Sequence, residues 1–170
     1  MIQVQLGDVF VVATPGILGK LIRPVQRFWS TDGEASYSHG GVITDGAGST
    51  IEALWRVEEN NLFSRYAGCR VLIARPDAPA EYKAAAVQRM RNLHLDQRYP
   101  VWRLALHLVP PLAKYVSAGG RYVVCSELQA KYLWWIGVRH NQYTGATPDM
   151  LADEFRQWRK YTIIFEGELP

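Results

Sequence analysis

Cysteine is scarce in this chain, since Cys69 and Cys125 are the two cysteines among its 170 residues. Two cysteines allow one disulfide at most and are too few for the disulfide framework of a small secreted domain. They are also too few for a zinc site built mainly from thiolates. A disulfide-rich scaffold and a cysteine-rich zinc domain are therefore excluded.

Long apolar segments are also missing. A helix needs about 20 consecutive apolar residues to cross a bilayer, and even the stretch LALHLVPPLA contains a histidine and two prolines. The first residues, MIQVQLGDVFVV, lack the basic start and cleavage site of a secretory signal and predict a strand instead. We therefore expect no transmembrane segment, and a protein that is cytoplasmic or delivered by a phage or secretion apparatus.

Neither sign of charge dominates the composition. The 19 Lys and Arg residues and the 16 Asp and Glu residues leave a formal net charge of +3, and no segment concentrates the basic residues. A nucleic-acid partner is therefore not favoured. With 48% hydrophobic and 21% charged residues, the composition is that of a globular protein. The length predicts one domain over residues 1–170.

Hydrophobic periodicity predicts the main secondary-structure elements. Strands are predicted over 8–13, 40–44, 50–55 and 69–74 and in the terminal segment YTIIF. Four helices are predicted: over 17–29, from Pro79 onward, over 101–109, and from the end of RYVV to Gly137. The apolar stripe of the second helix is Tyr82, Ala86, Met90 and Leu93. Asp77 is a candidate cap for the second of these helices.

The strands before and after the segment DGAGS form a hairpin, because Asp-Gly is the strongest short signal for a two-residue turn. If Asp45 and Gly46 are the central residues of a type I′ turn, counting outward places His39 directly opposite Glu52. A longer loop reaching Ser49 would shift the register and separate those two side chains.

Cys125 falls at the start of the predicted helix that ends at Gly137. Unpaired backbone amides and the helix dipole favour an anion at such a position, and a thiolate is an anion. A thiolate is also the nucleophile that acyl-transfer chemistry requires. Simple packing is the alternative, because cysteine is among the residue types most often buried.

His39 and Glu52 supply the other two members of a candidate catalytic triad. An imidazole suits general-base work near neutral pH, and a carboxylate on the neighbouring strand would hold its tautomer. In this interpretation Cys125 attacks a carbonyl, His39 carries the proton to the leaving group and Glu52 orients His39. The Cys125 backbone amide contributes to an oxyanion hole. Taken singly, each residue also has a structural explanation.

Five blocks occur in the order GDVFVV, SHGGVITDG, TIEAL, YVVCSELQAKYL and TPDML. With them the chain resembles the circularly permuted NlpC-type cysteine hydrolases, relatives of the lecithin:retinol acyltransferase-like proteins, over about residues 7–151. The resemblance implies an α+β, permuted papain-like fold in which a small antiparallel sheet packs against the nucleophile helix. It also implies that Cys125 is the nucleophile, His39 the base and Glu52 the orienting residue.

Other residues of these blocks match the family motif. Ser126 together with Gln129, or Glu127 in the first turn, can cap the helix. Ser38 directly precedes the histidine and can be structural in the same way. It is also a candidate substrate-binding residue.

The chain departs from the family pattern in two places. Gly40 and Gly41 stand where relatives commonly have a small apolar residue after the histidine, and we expect them to loosen the strand and enlarge the space beside His39. Relatives often have Tyr-Asp ahead of the middle helix, whereas Tyr99 is followed by proline here. Tyr99 and Trp102 are candidates to line the substrate cleft, with core packing as the alternative.

Two other interpretations use the same residues. Zinc could be bound by His39, Glu52 and Cys125 together with His94 or His107. No pair of these ligands, however, has a short spacing in the sequence. A non-catalytic structural or docking module, for example one delivered with a phage tail or secretion machine, would keep the fold without the reaction. The presence of all three triad residue types argues against it, and we expect no metal or other cofactor.

The resemblance implies a bacterial or phage cysteine peptidase that degrades cell wall. Its substrate would be an amide bond in peptidoglycan stem peptides, cleaved through a thioester intermediate. The runner-up keeps the same triad but takes an acyl group from a lipid ester or thioester, as an acyltransferase or thioesterase. An acyl-lipid substrate would need an apolar channel beside Cys125, whereas a wall peptide would need a polar groove.

Overall fold

The computed structural model describes residues 2–14, 36–97, 125–140 and 146–170. The strands in these residues are β1 Val9–Val12, β2 His39–Ile43, β3 Ser49–Ala53, β4 Val57–Asn61, β5 Arg70–Pro76 and β6 Tyr161–Glu168. The helices in these residues are α1 Leu62–Arg65, α2 Ala80–His94, α3 Cys125–Trp135 and α4 Pro148–Gln157. Among the helices of these four ranges, none has the length and apolar character needed to cross a membrane.

One sheet joins the six strands in the order β4-β3-β2-β1-β5-β6, and every neighbouring pair is antiparallel. Helix α3 packs against β2 and β3 and also contacts α2 and α4. This arrangement confirms the predicted α+β fold, in which an antiparallel sheet packs against the helix that carries Cys125.

The central strands of the sheet are apolar on both faces and bury separate clusters of side chains. Successive strand residues point to opposite faces, so Val9 and Val11 of β1 pack with residues of α2, α3 and α4 in one cluster. Phe10 and Val12 of the same strand pack with Leu62 of α1 in the other. Strand β2, which begins at His39, is paired to this doubly buried strand and is therefore held firmly.

The loop between β2 and β3 is longer than a two-residue turn. The Asp45 carboxylate accepts hydrogen bonds of 2.9 Å from the backbone amides of Ala47 and Ser49. The backbone amide of Thr44 donates to the carbonyl of Ser49 at 2.7 Å. Asp45 thus closes a wider loop with its own side chain, in the manner of an Asx turn.

This loop shifts the hairpin register by two residues from the predicted one. Gly41, not His39, lies opposite Glu52, so the predicted direct pairing of His39 with Glu52 is wrong. The expected consequence of a longer loop is also wrong, because a shift of two residues leaves both side chains on the same face of the sheet. They become diagonal neighbours rather than separated ones.

Helix α2 begins after the predicted proline but buries a different stripe. Its buried residues are Lys83, Ala86, Val87, Met90 and His94. Tyr82 and Leu93, which the sequence assigns to the buried stripe, are 56% and 47% exposed. Lys83 takes the place of Tyr82 because its aliphatic stem can lie against Gly7, which has no side chain. The helix has no side-chain cap, so the expectation for Asp77 is wrong.

The remaining elements divide into three groups. Strands β1, β5 and β6 confirm the predictions over 8–13, over 69–74 and in YTIIF. Helix α3 ends before Gly137 as predicted, and that glycine has a φ of +76°. Strand β4 and helices α1 and α4 are elements that the sequence patterns did not reveal. The helices predicted over 17–29 and 101–109 and the segment RYVV lie outside the described residues.

Candidate active site

His39, the first residue of β2, hydrogen-bonds Glu52 of β3. His39 Nε2 lies 2.8 Å from Glu52 Oε2, and the two side chains are 7% and 0% exposed. The contact runs diagonally across the hairpin because Gly41 stands opposite Glu52. Long side chains reach diagonal neighbours on the same face of a sheet, so the shifted register still brings this pair together.

Gly41 leaves the room through which Glu52 reaches the histidine. A Cβ at position 41 would lie 2.8 Å from Glu52 Cγ and 2.9 Å from Phe10 Cε1, both closer than real Cβ contacts. A Cβ at Gly40 would lie 2.7 Å from the Phe10 carbonyl oxygen. The two glycines therefore permit close packing and do not enlarge the space beside His39, contrary to the expectation from sequence.

The Glu52 carboxylate accepts hydrogen bonds at both of its oxygens. Thr50 Oγ1 donates to Glu52 Oε1 at 2.5 Å, and the Tyr66 hydroxyl donates to Oε2, the oxygen that also contacts His39. Burial alone would raise the pKa of Glu52, but the hydrogen bond and charge of His39, together with the Thr50 and Tyr66 donors, hold the pKa below its ordinary value. The carboxylate is thus charged and fully buried.

Cys125 occupies the first position of α3, where it lies close enough to His39 to raise the pKa of that histidine. Because Nε2 of His39 faces Glu52, Nδ1 is the ring nitrogen left for the thiol. Burial acts to lower the pKa of His39, but the hydrogen bonds to Cys125 and Glu52 and their charges raise it to about 10. The imidazole therefore carries a proton near neutral pH, between a carboxylate and a sulfur.

These three residues are the ones that the sequence predicts for a catalytic triad, and the fold brings them close together. Cys125 is 8% exposed and His39 is 6% exposed, so both are buried. The arrangement can supply a nucleophile, a proton donor and acceptor, and a carboxylate that orients the imidazole.

Helix α3 is fixed to the sheet by two polar side chains on its inner face. The Gln129 amide donates to the carbonyl oxygens of Phe10 and Gly41 at 3.1 and 3.0 Å. The Tyr132 hydroxyl donates to the Gly7 carbonyl oxygen at 2.9 Å. Gln129 therefore bonds the sheet rather than capping the helix with Ser126, and it ties the helix bearing the cysteine to the strand bearing the histidine.

Asp149, in the first turn of α4, holds the chain segment that leads into His39. Its Oδ1 accepts hydrogen bonds from the backbone amides of Ser36 at 2.8 Å and Tyr37 at 3.3 Å. Thr147 caps the same helix by accepting a hydrogen bond from the Met150 amide. The TPDML block of the sequence thus supports the site from outside the triad.

The three predicted substrate-binding residues have different outcomes. Ser38 is 4% exposed, and its Oγ accepts a hydrogen bond from the Thr14 amide at 3.1 Å and contacts Thr14 Oγ1 at 2.8 Å. These contacts fasten the strand beside His39 and give Ser38 a structural role. Tyr99 and Trp102 lie outside the described residues.

Three residues of the site were missed by sequence reasoning. Thr50 had a usable signal, because a residue two positions from Glu52 on a strand shares its face. Asp149 also had one, since it follows Thr147 in a Thr-Pro-Asp helix start. Tyr66 had none, because it ends the four-residue helix α1, which has no periodicity to detect.

The structure shows no metal-ligand cluster in ranges 2–14, 36–97, 125–140 and 146–170. In these ranges no group of three His, Cys, Asp or Glu residues is placed to hold an ion. His39 is engaged with both Glu52 and Cys125. His94 hydrogen-bonds Gln97 at 3.1 Å, and its ring stacks on Trp135. His107, the other zinc candidate, lies outside the described residues.

No protein-family model matches the chain, and no curated protein matches it either. The crystal structure of the metalloprotein yiiX from Escherichia coli O157:H7, designated DUF1105, is similar to it with a TM-score of 0.62 and 15% sequence identity. The similarity covers 98% of this chain and 99% of that one. At this identity the likeness shows a shared fold.

Proposed function

We propose that this protein is a cysteine hydrolase that cleaves an amide bond, with Cys125 as nucleophile, His39 as acid and base, and Glu52 as the residue that orients His39. The observation that carries the proposal is the 2.8 Å contact of His39 with the buried, charged Glu52, with Cys125 close enough to raise the pKa of the same histidine. Three residues that are far apart in sequence meet in the order that thiol acyl transfer requires.

The proposed reaction begins with attack of the Cys125 thiolate on the substrate carbonyl carbon. The resulting oxyanion would be stabilised by the backbone amide of Cys125 at the start of α3. The carbon–nitrogen bond then breaks as His39 gives its proton to the departing amine, leaving an acyl thioester on Cys125. His39 next takes a proton from water, the hydroxide displaces the thiolate, and the acid product leaves with both residues restored.

The proposed substrate is an amide in a peptidoglycan stem peptide. This choice follows from the resemblance to the permuted NlpC-type hydrolases, which extends over about residues 7–151 and includes the blocks around His39 and Cys125. An acyl transferase acting on a lipid ester or thioester would pass through the same thioester. The two functions differ in the acyl donor, so substrates rather than triad geometry separate them.

The test is to incubate the purified protein with digested peptidoglycan and, separately, with a lipid thioester, and to identify products by mass. We expect new peptide ends in the first reaction, each formed by addition of one water. Cys125→Ala should reduce turnover to background, whereas Cys69→Ala, which removes the other free thiol, should retain it.

Each other outcome contradicts a defined part of the proposal. Peptide hydrolysis that survives Cys125→Ala would remove the nucleophile assignment. Turnover of the lipid thioester alone would replace the amidase with the acyl-transfer function. No product from either substrate, with the protein folded, would favour a structural or docking role.

A further inference from the structure

We propose that Tyr66 is a positioning residue of the candidate triad, whose hydroxyl shares Glu52 Oε2 with His39 and so limits how tightly the carboxylate holds the imidazolium. The inference rests on the proposed function, because it concerns the proton that His39 must both accept and release. It assigns a role to a residue outside the three that the resemblance identifies.

The position of Tyr66 is fixed by the fold. Its side chain is 4% exposed and packs in the core cluster on the face of the sheet that also holds Phe10. The Tyr66 ring centroid lies 5.9 Å from that of Phe10 and 6.1 Å from that of His39. Its backbone amide donates to the Leu62 carbonyl at 3.0 Å and closes helix α1. The hydroxyl is therefore delivered to Glu52 by a packed ring.

The donors around Glu52 are unevenly shared between its oxygens. Among the described residues, Oε1 accepts from Thr50, whereas Oε2 faces both His39 Nε2 and the Tyr66 hydroxyl. Burial and the Glu52 charge raise the pKa of Tyr66 far above its ordinary value, so the hydroxyl stays neutral and donates. A second donor on Oε2 spreads the negative charge that would otherwise act on the imidazolium alone.

Two further charged or titratable groups face this chain of residues. The Arg65 guanidinium lies 6.0 Å from the Tyr66 ring centroid, and its positive charge acts to lower the pKa of Tyr66. Cys125 also lies near His39 and raises its pKa. Removing the Tyr66 hydroxyl leaves both groups in place and leaves Oε2 with the His39 donor, so the proton on His39 should be held more tightly.

A tighter hold on this proton matters in the proposed reaction. His39 has to deliver the proton to the leaving amine, and an acid that binds its proton too strongly gives it up slowly. Tyr66 would therefore keep His39 charged enough to pair with Cys125 and acidic enough to protonate the leaving group. Glu52 alone would serve the first requirement at the expense of the second.

The test is an NMR titration of His39 in the wild type and in Tyr66→Phe. The chain has four histidines, and the His39 signal is assigned by its loss in His39→Gln. We expect the midpoint of the His39 signal to move upward in Tyr66→Phe by about one pH unit, a roughly tenfold change in proton affinity.

Tyr161→Phe is the matched control. Tyr161 is also a buried tyrosine that donates to a buried glutamate, with its hydroxyl 2.6 Å from Glu154 Oε1. That glutamate pairs with Arg139 rather than with a histidine. The control should leave the His39 midpoint unchanged while making the same change of a hydroxyl for a hydrogen.

A midpoint that stays within the shift seen for Tyr161→Phe, or that moves downward, would overturn the role of Tyr66. If Tyr66→Phe does not fold, 3-fluorotyrosine at position 66 makes the hydroxyl a stronger donor without changing the packing, and the midpoint should then fall. Both measurements follow His39 directly and need no substrate. Failure of the hydrolysis assay would therefore not be mistaken for failure of this inference.

Discussion

The close approach between Gly41 and Glu52 makes Gly41→Ala the substitution that couples the fold to the candidate site most tightly. The added Cβ would meet Glu52 Cγ at 2.8 Å, the Ile51 carbonyl oxygen at 2.8 Å and Phe10 Cε1 at 2.9 Å. The carbonyl belongs to the sheet and the ring to the buried core, so neither can move easily. The Glu52 side chain must give way, and it carries the 2.8 Å contact to His39.

The loss of stability caused by this crowding follows from the known effect of adding a methyl group to a filled core. Inserting a methyl group into a filled interior destabilises a protein by about 1–3 kcal/mol. For a chain of this size, each kcal/mol lowers the melting temperature by about 2–4 °C, which gives an expected decrease of about 2–12 °C. Displacement of Glu52 should also weaken its hydrogen bond to His39. We therefore expect the rate of hydrolysis to fall by more than the loss of folded protein alone would explain.

The assay combines thermal unfolding with turnover and with the NMR signal of His39. Gly46→Ala is the matched control, because a Cβ at Gly46 meets its nearest neighbour, the Val4 carbonyl oxygen, at an ordinary 3.7 Å. We expect Gly46→Ala to resemble the wild type. A Gly41→Ala variant with unchanged melting temperature and an unchanged His39 signal would refute the argument that this glycine makes room for Glu52.

Two further predictions concern the support and the charge of the site. Asp149→Ala removes the acceptor for the Ser36 and Tyr37 amides, so it should lower the free energy of unfolding by about 1–3 kcal/mol and also reduce activity, as measured by denaturant unfolding and turnover. Asp153→Ala on the same helix is the control. Equal losses in the two variants would contradict the anchoring role of Asp149. Because the pKa of Glu52 is held below its ordinary value of 4.5, its stabilisation is present above that pH and is lost on acidification. The difference in unfolding free energy between wild type and Glu52→Gln should therefore shrink as the pH falls below 4.5, and a difference that stays constant would contradict a buried carboxylate paired with His39.

The elements that the sequence predicts correctly are those whose patterns are local. DVFVVA is a short run of β-branched and aromatic residues and forms β1. The helix that begins at Cys125 ends where Gly137 supplies a positive φ. Strand β4 escaped detection because its sequence, VEENN, has little apolar character and lies at the edge of the sheet. An edge strand does not have to bury both faces, so its sequence carries a weak signal.

The meeting of His39 with Glu52 was predictable although the register that produces it was not. Composition of the turn does not determine loop length, because the Asp45 side chain can close the wider loop observed here. The predicted register was wrong by two residues. Because side chains on a strand alternate with a period of two, His39 and Glu52 still lie on the same face of the sheet. An error of one residue would have placed His39 and Glu52 on opposite faces.

The long-range contacts that bring Tyr66 and Asp149 to the site could not be found by the same reasoning. The Tyr66 hydroxyl reaches Glu52 only because α1 turns the chain back after β4, and Asp149 reaches Tyr37 across 112 residues of sequence. Such contacts depend on how elements pack rather than on any local pattern. The stripe of α2 was misread for a related reason, because Gly7 on another element accommodates the stem of Lys83.

The most direct test of the central claim is competitive alkylation of the two cysteines by iodoacetamide at mildly acidic pH, read by peptide mapping. If Cys125 is the activated nucleophile that we propose, it should be labelled well before Cys69, because iodoacetamide reacts with the thiolate form of a cysteine. The preference should disappear in His39→Gln. Equal labelling of both cysteines in the wild type, or faster labelling of Cys69, would contradict the assignment of Cys125 as the activated nucleophile.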